Sequence, residues 1–126
     1  MNNKILVAED EEYNFTLLKL IFEREGQQIL WAKNGAEAVK IFEEYSDIDL
    51  VLMDIKMPVM NGLDASRIIK GIRKQVPIIA VTAYAMSEDR ELCLSAGCNE
   101  VITKPIDRNN LLSIARKWIN FKDEYA

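Results

Sequence analysis

Apolar and polar positions follow two rhythms along this chain. Solid apolar runs recur five times: Ile5-Leu6-Val7-Ala8, residues 28–32 (Gln28-Ile29-Leu30-Trp31-Ala32), Leu50-Val51-Leu52-Met53, residues 77–82 (Pro77-Ile78-Ile79-Ala80-Val81-Thr82), and Val101-Ile102-Thr103. Short runs without alternation predict strands buried on both faces. Between them, apolar residues recur at helical spacing over about 13–24, 36–45, 63–74, 87–95 and, after an Asp107 cap, to about Phe121. Gly26, Asn34-Gly35, Pro58 with Asn61-Gly62, and Gly97 punctuate the segments, and Ser87 is a good N-cap. Strands alternating with helices predict βαβ units, hence a parallel sheet with helices on both faces. The pattern does not set the strand order.

The helical wheels predict which faces pack. The first helix carries two stripes, Tyr13, Leu17, Leu20 and Ile21, and Phe15, Leu18 and Phe22. One stripe suffices for packing on a sheet. The other is open to two readings, a partner surface or burial under neighbouring helices. The second helix offers Ala38, Val39, Ile41 and Phe42, the third Ile68, Ile69 and Ile72, and the fifth Leu111, Ile114, Ala115 and Trp118. Gly71 inside the third helix costs about 1 kcal/mol relative to alanine.

Composition narrows the functions available. The 126 residues are one domain's worth, with 49% hydrophobic and 29% charged residues, as in an ordinary soluble fold. A net charge of −4 argues against a nucleic-acid surface. No apolar run is long enough for a membrane span or a secretory leader, so a cytoplasmic location without membrane contact is expected. The chain has no histidine and only Cys93 and Cys98. That excludes a Cys/His zinc site and any Ser-His or Cys-His nucleophile, and leaves the cysteines as reduced packing residues.

The candidate chemistry lies where the strands end. All carboxyl ends of a parallel sheet share one edge, the usual ligand edge of open α/β folds. Four strands deliver polar groups there: Glu9 and Asp10, Asp54, Thr82, and Lys104. Three clustered carboxylates repel one another and call for a cation. Oxygen ligands from few carboxylates, with space for water and phosphate, suit Mg²⁺ or its stand-in Mn²⁺. A lysine can pair with Asp54 and then with a phosphoryl oxygen, and a threonine adds a hydrogen bond. Asp54 is then the nucleophile of a phosphoryl transfer.

These motifs carry a resemblance over essentially the whole chain. Ile5-Leu6-Val7-Ala8-Glu9-Asp10, Met53-Asp54-Ile55-Lys56-Met57-Pro58-Val59-Met60-Asn61-Gly62, Ile79-Ala80-Val81-Thr82-Ala83 and Thr103-Lys104-Pro105 resemble the receiver domains of two-component signalling. The resemblance implies a flavodoxin-like sandwich with strand order 2-1-3-4-5. It implies that Asp54 accepts a phosphoryl group from a histidine of a sensor kinase or a phosphotransfer domain. Asp10 and Asp54 are expected to ligate Mg²⁺ directly, Glu9 through water, and Lys56 through its backbone carbonyl. Thr82 and Lys104 are expected to hold phosphoryl oxygens, Ala83 to leave them room, and Lys104-Pro105 to be cis. It further implies a signalling domain rather than a turnover enzyme, promoting its own phosphorylation and slow autodephosphorylation. The fourth helix, fifth strand and fifth helix would report the change and could form a phosphorylation-dependent dimer.

Two positions depart from the family pattern. Glu9 replaces the commoner aspartate, which keeps the carboxylate. Val101 stands where an aromatic side chain usually couples to the threonine, so the resemblance does not extend to that lever. Tyr84 is placed either to shield an acyl phosphate from water or to cover the sheet edge. Asn14, the Lys56-to-Gly62 wording and Ile102-Thr103-Lys104-Pro105-Ile106 resemble the receivers of hybrid sensor kinases most. Residues 1–126 are thus expected to be one receiver, free-standing or part of a longer protein. Two other classes share part of this residue pattern. A metal-dependent aspartyl phosphatase needs its nucleophile in an Asp-x-Asp after the first strand, where this chain has Glu9-Asp10-Glu11. A receiver used only as a scaffold would be expected to lack some of the acids or the lysine.

Overall fold

A computed structural model describes residues 3–83 and 87–120. Each apolar run is a strand: β1 Lys4–Ala8, β2 Gln28–Ala32, β3 Leu50–Asp54, β4 Ile78–Thr82 and β5 Glu100–Thr103. The helices are α1 Glu12–Arg24, α2 Gly35–Glu44, α3 Gly62–Ile72, α4 Ser87–Ser95 and α5 Arg108–Trp118. All strand pairs are parallel, in the order β2-β1-β3-β4-β5. This is the order the resemblance implied. β3 and β4 are buried at every residue, as central strands covered on both faces must be.

Side-chain alternation along each strand divides the core in two. Ile5, Val7, Leu50, Leu52, Ile79 and Ile102 face α1 and α5. Leu6, Ala8, Val51, Met53, Ile78 and Ala80 pack with residues of α2 and α3 and with Cys93 and Cys98. Both cysteines are unpaired and buried, as expected. The helix starts also follow the sequence signals. Asn34, Asn61 and Asp107 accept hydrogen bonds from the Glu37, Asp64 and Asn110 N–H groups at 2.9, 3.0 and 2.9 Å, satisfying donors that a helix N-terminus leaves open. The side chain of Ser87, the expected cap of α4, lies outside those described.

Two helix faces, on α3 and α5, differ from expectation, and α1 resolves a choice the sequence left open. On α1 the packing stripe is Phe15, Leu18 and Phe22, while Tyr13, Leu17 and Leu20 are exposed and Ile21 is half-buried. On α3 the inward residues are Ala65, Ser66 and Ile69, and Ile68 and Ile72 face outward. The large side chains drew the wheel's axis toward themselves, whereas the small ones let the helix approach the sheet. On α5 the inward set is Leu111, Leu112 and Ala115, Ile114 is half-buried, and Trp118 is exposed at the last helical residue. The indole donates to Glu100 at 3.2 Å instead. The helix ends three residues short of Phe121, which lies outside the described residues.

Gly71 is exposed in α3, and a Cβ there meets nothing within 4 Å. Gly71→Ala is expected to raise unfolding free energy by about 0.5–1 kcal/mol, through helix propensity alone. Urea denaturation should show a higher midpoint with an unchanged slope; an unchanged midpoint would refute this account.

Candidate phosphoacceptor and metal site

The strand ends meet as the sequence suggested. Asp54 closes β3, with its neighbour Ile55 donating from its N–H to the Val81 carbonyl at 3.1 Å. That bond continues the β3–β4 ladder and keeps Asp54 rigid at the sheet edge. Its carboxylate is almost fully buried. One oxygen accepts from the Lys104 ammonium at 3.0 Å and the other from the Lys56 N–H at 3.2 Å. Lys104 is held in turn by its own N–H, which donates to the Thr82 carbonyl at 2.8 Å. Thr82 is buried at the end of β4. The Lys104-Pro105 bond is cis, as expected.

Glu9 and Asp10 complete the cluster. One carboxylate oxygen from each of Glu9, Asp10 and Asp54 falls within a single 4.8 Å set. Glu9 is buried, whereas Asp10 is exposed. The three acids could hold a metal ion, with Asp10 offering the solvent side. Asp10, Glu11, Asp54, Lys56, Thr82, Ala83 and Lys104 line a cleft of about 200 Å³ above them.

The electrostatics carry the mark of that crowding. Burial pushes the Glu9 carboxyl up first, and its hydrogen bond and charge contact with Asp54 add to this. Asn14 and Lys104 pull the other way, and the result is a protonation midpoint of about 7. Burial lowers the Lys104 ammonium, but its hydrogen bond to Asp54 and the charges of Asp54, Glu9 and Glu11 outweigh burial and raise it. Lys104 Nζ also lies 3.7 Å from Glu9. One lysine thus faces a set of acids that it cannot neutralise, as a cation site requires.

Two residues of the site had no assigned role in the sequence reading. Asn14 donates to Glu9 at 2.7 Å and to Glu11 at 3.3 Å. It was visible only as part of a wording match. The Trp31 indole N–H donates to the Glu9 carbonyl at 2.8 Å, and its ring stacks on Phe15 at 4.5 Å. Nothing in the local pattern of β2 announces that contact, which arises from β1–β2 pairing. Tyr84 lies outside the described residues. Val101 is half-buried and packs on the α2–α3 side of the sheet.

A family model described as response regulator receiver domain matches residues 5–116. The chain belongs to this family. The receiver is 37% identical over 126 residues to hybrid signal transduction histidine kinase M of Dictyostelium discoideum, covering 95% of this chain and 5% of the kinase. It spans between 5% and 17% of the first three curated relatives. The receiver domain of a Pseudomonas aeruginosa sensor histidine kinase, crystallised with magnesium in its active-site cleft, is similar at 36% identity and TM-score 0.86, covering 94% of this chain and 98% of that one. The receiver domain of Ssk1 from Saccharomyces cerevisiae was crystallised with the histidine phosphotransfer protein Ypd1. The structure matched from that complex is 30% identical with TM-score 0.87, covering 93% and 88%. This receiver is therefore a module of two-component signalling. Among its described residues no helix is long and apolar enough to cross a membrane.

Proposed function

We propose that the receiver takes a phosphoryl group onto Asp54 from a partner's phosphohistidine, in the presence of Mg²⁺. The observation that carries this is the 3.0 Å Lys104–Asp54 pair inside a three-carboxylate set. Asp54 attacks phosphorus through a carboxylate oxygen, forming an Oδ–P bond as the P–N bond breaks and its electron pair stays on the donor's imidazole nitrogen. Lys104 turns from Asp54 to the transferred group, and the Thr82 hydroxyl provides a neutral donor beside it. Asp10, Asp54 and the Lys56 carbonyl would hold the cation, with Glu9 acting through water. When bound, the cation offsets charge on the phosphoryl oxygens. Slow loss of the group to water returns the domain to its starting state. Incubation with acetyl phosphate and Mg²⁺ is expected to add one acid-stable, hydroxylamine-labile phosphate, read by intact mass. An unmodified mass in that experiment would sink the proposal.

The donor would be a sensor histidine kinase or a histidine phosphotransfer domain. Its docking surface would be the exposed α1 stripe. Tyr13, Leu17 and Leu20 are 73%, 45% and 52% exposed, on the helix that brings Asn14 to the site. An apolar groove of about 720 Å³ beside them runs from Asn14 and Lys104 past Leu17 and Ile21 to Arg24. Leu17→Glu is expected to cut transfer from a phosphotransfer domain about tenfold or more by placing a charge in a packed interface. Labelling by acetyl phosphate should be unaffected, and equal loss with both donors would point to a folding defect instead. The same reading places the domain in the cytoplasm and lets α4, β5 and α5 form a phosphorylation-dependent dimer, where Leu92 and Leu94 are exposed.

A further inference from the structure

The loop between β3 and α3 carries strain that side-chain packing does not explain. Val59 has φ of 69° and is 85% exposed. Around it the Met60 N–H donates to the Pro58 carbonyl at 2.8 Å, closing a three-residue turn. A β-branched residue at the centre of such a turn is rare and strained. Strain of this kind persists where the surroundings over-determine the backbone.

Three contacts do so here. The N–H of Gly35, first residue of α2, donates to the Met60 carbonyl at 3.0 Å. The Asn61 side chain caps α3. The Gly62 N–H donates to the Ile55 carbonyl at 2.9 Å. The two glycine contacts leave no slack. A Cβ on Gly35 would lie 2.4 Å from the Met60 carbonyl oxygen, and one on Gly62 would lie 2.2 Å from that of Asp54. Both obstacles are backbone and cannot swing aside. The segment from Asp54 to Met60, which includes Lys56, is thus gripped between the start of α2 and the start of α3.

We infer that Gly35 is a positioning residue for the cation site. By letting α2 abut Met60, it fixes the backbone from which Lys56 presents its carbonyl, and so sets cation affinity. The inference rests on the proposed role of Lys56 as a backbone ligand. It concerns a residue of α2 whose N–H bonds the Met60 carbonyl, outside the set of three acids. Outer contacts that orient metal ligands commonly change affinity by about 10–100-fold.

The test is a calorimetric Mg²⁺ titration of the whole chain, with urea unfolding in parallel. A wild type that takes no Mg²⁺ overturns both the metal site and this inference. If wild type binds, Gly35→Ala is expected to bind about tenfold more weakly. Its acetyl-phosphate labelling should recover to within about twofold of wild type at saturating Mg²⁺, the signature of an affinity defect. The core variant Ile69→Val, chosen for mild destabilisation, should keep wild-type affinity. Wild-type Mg²⁺ affinity in Gly35→Ala overturns the inference, as does labelling that stays low at saturation. If Gly35→Ala does not fold, Val59→Gly probes the same loop without a clash. It should relax the turn, leave stability equal or higher, and lose at least about threefold in Mg²⁺ affinity as preorganisation is lost. Unchanged affinity in that variant overturns the inference.

Discussion

Replacing Asp54 with asparagine is expected to abolish phosphate incorporation from acetyl phosphate while the chain stays folded. The amide is nearly isosteric, so the buried space at the end of β3 remains filled. Its oxygen carries no charge and is a poor nucleophile, so labelling should fall by at least about a thousandfold. Stability should respond far less. The Lys104 ammonium loses its 3.0 Å partner but keeps Glu9 at 3.7 Å. At the same time Glu9 loses the two contacts with Asp54 that help to raise it. These effects oppose each other, so without Mg²⁺ the change in unfolding free energy should stay within about 1 kcal/mol. Intact mass after incubation and urea unfolding read the two outcomes separately. An asparagine variant that labels like wild type would place the acceptor elsewhere.

The site was legible because its residues end strands. A solid apolar run followed by a polar side chain marks both a buried strand and the edge at which it stops, so Glu9, Asp54, Thr82 and Lys104 could be placed together without knowing which strands are neighbours. Strand order required the family resemblance, since parallel pairing leaves no local pattern. The misplaced face of α3 has a physical cause. Periodicity weights residues by hydrophobicity, but helices settle on a sheet by shape, so Ala65 and Ser66 displaced Ile68 and Ile72. Asn14 and Trp31 escaped a role for another reason. Their target is Glu9, and one bond needs the curl of the β1–α1 loop while the other needs the Ala8–Ala32 register. Gly35 and Gly62 read as turn residues. Their close approach to the Met60 and Asp54 carbonyls exists only once α2, α3 and β3 are assembled.

The largest solution effect should be a crossing of pH and Mg²⁺. Glu9 protonates near pH 7 in the folded chain against 4.5 for an ordinary glutamate. For a raised folded-state value the sign is fixed. The protonated native state is favoured below pH 4.5, and that advantage is lost as pH climbs through 7. The metal-free receiver should therefore lose on the order of 3 kcal/mol of stability across this window from Glu9. Mg²⁺ opposes the trend, because binding requires the carboxylates ionised and so competes with the proton. Apparent Mg²⁺ affinity should rise by up to about tenfold per pH unit until Glu9 is deprotonated, then level off. Bound cation stabilises in proportion to the logarithm of its concentration over its dissociation constant. Unfolding curves in chelator and in Mg²⁺ should thus nearly coincide at pH 5 and separate widely by pH 8. Trp31, bonded to the Glu9 carbonyl, gives an intrinsic fluorescence signal close to the acids. A Mg²⁺ affinity that is flat from pH 5.5 to 8 would show that no proton is displaced, and would remove the buried Glu9 from the cation site.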